Sequence, residues 1–228
     1  MTTPVSHAQT HVPRSADPSH LQHSKMQYLL GADYMQWQCS DPTYHSFITP
    51  KIIINKIIEL SKEHFHGLSD KVIWDMFAGI GCDAIRLSRH AGKVIATELK
   101  EKTFRDLARN AQSGNIELPG SCIEIYHADC CQMASGGPDC NIVYFDPPWG
   151  STFKSGEPFD FKDVILDDGT PVLDLADYVS ENHSMIIKSP FNCNSFEDLF
   201  QDRVTEIFTF TKQKLKFLIV KAANEIDY

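Results

Sequence analysis

The sequence predicts an α/β fold, a doubly wound and mostly parallel seven-stranded sheet closed by an antiparallel C-terminal hairpin. Three observations predict it. Short runs rich in Val, Ile and aromatic residues alternate with stretches of helical spacing from residue 71 to residue 201. Acids or glycine turns stand at the ends of four of those runs. Two β-rich runs close the chain without a helix between them, which suits a hairpin on the edge of a mixed sheet.

The elements follow in order. Residues 1–24 are rich in Ser, Thr, Pro, His and Gln and poor in large apolar residues, so a disordered polar tail is expected there. His7, His11, His20 and His23 in that tail read as polar filler. Residues 25–69 form a helical N-terminal extension. Within it Thr49-Pro50 begins the helix KIIINKIIELSKEHF, with Thr49 placed to cap the first amides and Pro50 suited to the first helical position. The main domain spans 70–228. It runs through strand 71–77, helix 82–90, strand 93–98, helix 100–112, and strands 122–129 and 140–146. Helix 174–182, strand 184–188, a short helix 195–201 and the hairpin strands VTEIFTF and KLKFLIV complete it.

Composition narrows the function. The chain has 228 residues and a formal net charge of −9, which argues against coating duplex nucleic acid through its backbone but permits a short or single-stranded target. No stretch is long and apolar enough to cross a membrane, and no signal peptide is expected. Seven cysteines without a Cys-x-x-Cys pair suit a reducing compartment, and no metal site is expected.

In a doubly wound sheet, ligands bind beyond the carboxyl ends of the strands. The first strand ends in Asp75-Met76-Phe77-Ala78-Gly79-Ile80-Gly81. Its glycines permit a tight turn and a close approach to a ligand before a helix, or serve the turn alone. The second strand ends in Glu98, an acid that can accept both hydroxyls of a ribose. The third ends in Asp129, which can accept from an adenine amino group or cap the next turn. The fourth ends in Asp146-Pro147-Pro148-Trp149-Gly150. Together these ends point to a nucleoside-containing cofactor.

The fourth strand end also points to the reaction. The exocyclic amine of a base is a poor nucleophile because its lone pair is delocalised into the ring. Rigid acceptors on its N–H groups pull it towards a tetrahedral shape, most strongly in the transition state. Asp146 and the Pro147 carbonyl are such acceptors, the paired prolines stiffen them, and Trp149 offers a flat face for stacking.

The strand-end set resembles the class I S-adenosylmethionine-dependent methyltransferases over about residues 70–220. The resemblance implies that Asp75 and the Gly79–Gly81 loop hold the amino acid part of S-adenosyl-L-methionine, Glu98 the ribose and Asp129 the adenine. Thr49, Phe77, Ala78 and Asp146 complete the implied cofactor contacts. Phe47-Ile48-Thr49-Pro50-Lys51, Pro147-Pro148-Trp149-Gly150 and Phe159-Asp160 further resemble the trimethylguanosine synthase family, whose members methylate the exocyclic amine of a 7-methylguanosine RNA cap. In that family the tryptophan stacks on the methylated guanine, in keeping with indole as the best cation–π partner for a cationic base.

That likeness implies capped small nuclear or nucleolar RNA as partner, a monomer, and action in the nucleus, with the cytoplasm as the alternative. The chain departs from the family at Asp146, where Ser is common. It departs again at Cys82-Asp83, where Gly and Asn are usual, and at Phe191, where an Arg holds cap phosphates. Lys154, Lys188 and Asn192 are therefore the expected phosphate or substrate contacts, and Phe153 or Phe159 the second wall of the base site. A methyltransferase acting on internal adenine or guanine is the alternative substrate reading.

Overall fold

A computed structural model describes residues 18–32, 34–112, 122–150, 153–154 and 157–225. Seven strands form one sheet: β1 (Val72–Asp75), β2 (Lys93–Glu98), β3 (Ile123–His127), β4 (Ile142–Phe145), β5 (Ser184–Pro190), β6 (Val204–Phe210) and β7 (Leu215–Val220). Their order is β3-β2-β1-β4-β5-β7-β6. β1 to β5 pair in parallel, and β7 runs antiparallel between β5 and β6. This is the class I methyltransferase fold expected from the sequence, C-terminal hairpin included. The strand order reverses between β1 and β4, so a crevice opens beyond their carboxyl ends.

Side-chain alternation decides what each face packs against. Val143 and Phe145 of β4 point into one core with Trp74, Met185 and Ile187. Helix α6 (Val172–Ser180) and helix α7 (Ser195–Phe200) cover that face through Val172, Leu175, Ala176, Val179 and Phe196. Ile142 and Tyr144 point the other way, with Ile73, Val94, Ala96 and Ile186. Helices α2 (Lys51–His64), α3 (Cys82–Leu87) and α4 (Glu101–Gln112) cover this second face. A one-residue slip of β4 would exchange the two sets, which pins its register.

Helix α2 shows how the isoleucine run is used. Ile53, Ile54, Ile57 and Ile58 are buried against the sheet, while Ile52 is 66% exposed. Each buried isoleucine is worth about 1.5–3 kcal/mol. The segment expected as an extension thus shares the core of the main domain. Its start differs from the expectation. Pro50, not Thr49, is the N-cap, and no side chain caps the helix. Thr49 is buried and donates its hydroxyl to Asp83 Oδ2 at 2.6 Å instead.

Helix α1 (Pro18–Leu30) begins inside the stretch expected to be a polar tail. Leu29 and Leu30 pack with Trp37, Ile80, Cys82 and Ile85, so α1 lies outside α3 as a further layer. The rest of that tail, with His7 and His11, lies outside the described residues. Other elements are shorter than expected. β1 ends at Asp75 rather than 77, and α3 at Leu87 rather than 90, where Ser88 turns the chain.

Candidate functional site

A cleft of about 1080 Å³ lies at the switch point, beyond the carboxyl ends of β1, β2 and β4. Its wall below β1 is built by the glycine turn. Gly79 and Gly81 have φ of 54° and 90°, in the left-handed region where a side chain is strained. Gly81 is the N-cap of α3, and a Cβ there would stand 2.5 Å from Leu107 Cδ1. A Cβ on Gly79 would meet nothing within 4 Å. Neither glycine lines the cleft. They shape the turn, while Phe77, Ala78 and Ile80 of the same turn line the cavity.

Glu98 is fixed by this turn. Its Oε2 accepts the Gly79 amide at 3.0 Å and its Oε1 the Lys100 amide at 2.8 Å. Burial raises its carboxyl above the usual range, against the pull of those two amides. Each oxygen keeps a further lone pair, so a vicinal diol can still be accepted. Asp129 lines the cleft as well, and its Oδ1 accepts the Cys131 amide at 2.9 Å as the N-cap of α5 (Cys130–Ala134). Capping occupies one oxygen and leaves the other for a ligand. Among the described residues, Asp129, Cys130 and Cys131 form the one group with metal-ligand chemistry, their donor atoms lying within 4.8 Å of one another.

The floor is acidic. Asp75, Asp83 and Asp146 gather at the ends of β1 and β4 and the start of α3, all lining the cleft. Asp75 is fully buried and accepts only a long 3.3 Å bond from the Phe77 amide. Burial, then the Asp83 and Asp146 carboxylates, push its carboxyl well above the usual range. Asp83 Oδ2 accepts from Thr49 Oγ1 at 2.6 Å and Tyr144 Oη at 2.9 Å. Its Oδ1 is 3.9 Å from Arg86 Nη1 without a hydrogen bond. Asp83 thereby ties the start of α2 and the middle of β4 to the glycine turn.

Asp146 is held by Lys188, whose Nζ lies 2.6 Å from Asp146 Oδ2 and 3.1 Å from the Phe47 carbonyl oxygen. Burial pushes the Asp146 carboxyl up to about 6, with Lys188 limiting the rise. Burial alone would push the Lys188 ammonium down, but Asp146, Asp83 and Asp75 hold it above its ordinary value. Lys188 thus stands among the buried Asp75 and Asp83 and the partly buried Asp146, with Arg86 3.9 Å from Asp83 as a second cation. Asp146 and Pro147 line the cleft, and among the described residues Asp146 Oδ1 and the Pro147 carbonyl accept no hydrogen bond.

The aromatic wall stands next to them. Trp149 and Phe153 line the cleft edge to face, with ring centroids 4.7 Å apart. The Lys188 ammonium lies 5.9 Å from the Trp149 ring centroid. Phe159 meets Phe153 at 5.4 Å and Phe161 at 4.9 Å, which makes it backing for the wall and not its surface. Asp160, the other half of that motif, caps the turn Phe161–Asp163 and accepts from Ser195 Oγ at 2.8 Å.

Of the three residues expected to contact phosphate or substrate, Lys188 lines the cleft and the other two do not. Lys188 is buried in the ion pair above, because β5 is buried along its whole length. Lys154 is exposed, 3.7 Å from Glu157, and does not line the cleft. Asn192 also stands away from the cavity, and its Nδ2 donates to the Glu157 carbonyl. Sequence reasoning missed Tyr144, which carried no signal beyond its place in a buried strand. It also missed Lys25, Tyr28, Lys212 and Gln213, which line the mouth and come from α1 and the β6–β7 turn.

A protein-family model described as "Conserved hypothetical protein 95" matches residues 53–156. An uncharacterized RNA methyltransferase of Chlamydia pneumoniae is 28% identical over 107 residues, which cover 45% of this chain and 26% of that protein. The chain thus spans about a quarter of the length of that relative. Among solved structures, an RNA methyltransferase from Salinibacter ruber in complex with S-adenosyl-L-homocysteine has a TM-score of 0.52 at 14% identity, covering 78% of this chain and 95% of that one. A precorrin 8W decarboxylase from Methanobacterium thermoautotrophicum has a TM-score of 0.51 at 11% identity, covering 75% and 90%. At these identities the likeness is one of fold. The chemistry has to be argued from the side chains.

Proposed function

We propose that the chain is an S-adenosylmethionine-dependent RNA methyltransferase that modifies the exocyclic N2 amine of a 7-methylguanosine cap. One observation carries the reading: Asp146, held by Lys188, stands with Pro147 and Trp149 in the same cleft as Asp75 and Glu98. The Chlamydia relative and the Salinibacter fold neighbour, both described as RNA methyltransferases, support the general class.

The residues present fit the cofactor. Glu98, anchored by two amides, keeps lone pairs for ribose hydroxyls. Asp75 is buried and, among the described residues, makes no ion pair, so the ammonium of the amino acid part would satisfy it. Asp129 keeps one oxygen for the adenine amine. The bound group supplies an electrophilic methyl on a sulfonium. The chain supplies orientation and acceptors. Asp146 Oδ1 and the Pro147 carbonyl accept the two N–H groups of the base amine and localise its lone pair. A carboxyl that titrates near 6 is also suited to take the proton that the amine sheds. Trp149 and Phe153 shelve the ring. On this reading the RNA is a small nuclear or nucleolar species met in the nucleus.

A second reading, methylation of an internal adenine or guanine in RNA, is favoured by one contact. Lys188 already places a cation 5.9 Å from the Trp149 centroid, which weakens the gain from stacking a second one and suits a neutral base. Mass spectrometry separates the two. Purified chain and S-adenosylmethionine are offered a 7-methylguanosine cap analogue, an unmethylated guanosine cap and an uncapped RNA. Methyl gain on the first alone supports cap methylation, and gain on the uncapped RNA replaces it with the internal-base reading. No gain on any acceptor overturns both.

A further inference from the structure

The chain carries a formal charge of −9, and three carboxylates form the cleft floor, yet four exposed lysines line the cleft as well, together with the exposed Asp167 and Asp168 of the same lining. Lys25, Lys100, Lys102 and Lys212 line it and are exposed. Among the described residues, none of these four is ion-paired. A cation left unpaired on an acidic surface, and placed around a cavity, is placed to meet an anion from outside.

Two of the four stand near a bond between distant parts of the chain. Gln213 Nε2, in the β6–β7 turn, donates to Tyr28 Oη of α1 at 3.0 Å across 185 residues. Lys25 precedes Tyr28 by three residues, a spacing that sets both on one side of the helix. Lys212 adjoins Gln213. The turn ends at Leu215, which pairs with Pro190 at the carboxyl end of β5, beside the end of β4 that carries Asp146. The lysine pair thus flanks the base side of the cleft. His45 lines the same mouth, and burial together with the Lys25 ammonium holds its imidazole below its usual value, so near neutral pH the lysines supply the charge there.

We propose that Lys25 and Lys212, set beside the Tyr28–Gln213 hydrogen bond, take the phosphates next to the target base of a single-stranded RNA. The inference rests on the RNA reading above and replaces Lys154 and Lys188 as the phosphate contacts. Its physical logic is a division by depth. A base can descend to the acidic floor because it carries no phosphate, while the flanking phosphates are repelled by that floor and stay at the rim. Counterion release then gives affinity without a basic surface elsewhere.

The test is fluorescence anisotropy with a labelled, 7-methylguanosine-capped single-stranded RNA. Binding to wild type, to the double variant Lys25→Gln/Lys212→Gln and to Tyr28→Phe is measured across about 50 to 200 mM salt. Calorimetry with S-adenosylhomocysteine confirms that each variant is folded. The salt slope should fall by about 0.7 for each lost contact, and affinity near 0.1 M salt roughly fivefold for each. Tyr28→Phe keeps both charges and cuts the bridge, so its affinity should fall between wild type and the double variant. Wild-type slope and affinity in the double variant would overturn the phosphate role while leaving the methyltransferase reading intact. Equal competition by an acidic peptide would overturn it in favour of a protein partner. Wild type that binds no RNA would overturn the substrate reading itself, and this inference with it.

Discussion

Lys188 Nζ lies 2.6 Å from Asp146 Oδ2 although 42 residues separate them along the chain, and both side chains are largely buried. The contact joins adjacent strands at their carboxyl ends and aims the acid of the Asp-Pro-Pro-Trp turn. Removing one partner from such a pair leaves an uncompensated charge. Lys188→Met should therefore lower stability by about 3–5 kcal/mol at pH 7, read from urea unfolding. The loss should shrink near pH 5, where Asp146 is protonated and asks for no partner. An equal loss at both pH values would show that packing, not charge, explains the pair.

Stability and activity should run in opposite directions with pH. Asp146 is raised from 3.8 to about 6 in the fold, and Asp75 is raised as well. A raised carboxyl contributes stability that is fully present below its unfolded value and lost as pH rises through its folded value. The share of stability from this cluster therefore falls across about pH 4 to 6 and above. Acceptance from the base amine needs the Asp146 carboxylate, so kcat/KM should rise through about 6. Urea midpoints and initial rates over the same buffers check both arms.

The two glycines of the turn should separate in mutation. At Gly81 a methyl would stand 2.5 Å from Leu107 Cδ1, on backbone with φ of 90°. Gly81→Ala should destabilise by roughly 1–3 kcal/mol from backbone strain alone, with the clash added. At Gly79 the space is open and φ is 54°, close to the common left-handed well. Gly79→Ala should be milder, by about 1–2 kcal/mol. Thermal melts of the two variants give the comparison, and a reversed order would contradict the packing described around Leu107.

Trp149 should be replaceable in kind but not in its absence. Phe keeps a flat face against Phe153, and Ala keeps none. Stacking of a base on an aromatic ring is worth roughly 1–3 kcal/mol, so Trp149→Ala should weaken RNA about tenfold to a hundredfold. Trp149→Phe should retain most of the affinity. Equal losses in the two variants would remove stacking from the account.

What was legible in the sequence had local causes. Strand ends announce themselves because an apolar run stops at an acid, a glycine or a proline: Asp75 and Glu98 close β1 and β2 and Asp146 follows β4, whereas β3 stops at His127 and Asp129 caps α5 two residues on. The C-terminal hairpin was legible because two β-rich runs lacked a helix between them. What escaped depends on partners far along the chain. Thr49 has the chemistry of a cap, but Asp83, 34 residues away, takes its hydroxyl. Lys188 looks like a surface cation until the burial of β5 and the approach of Asp146 are known. Tyr28 and Gln213 meet across nearly the whole chain, and no periodicity encodes that. Asp129 carried two readings, and the capping one is realised without using up its second oxygen.

The most direct measurement is calorimetric titration of the whole chain with S-adenosylhomocysteine, for wild type and Glu98→Gln. Glu98 holds the glycine turn through Oε2 and keeps lone pairs for the ribose, so its loss removes charge-assisted acceptance from two hydroxyls. Wild type should bind with measurable heat, and Glu98→Gln should bind at least about tenfold more weakly, in line with about 1.4 kcal/mol or more for a charged hydrogen bond. No heat from the folded wild type, or identical binding by the two proteins, would contradict a nucleoside cofactor in this cleft.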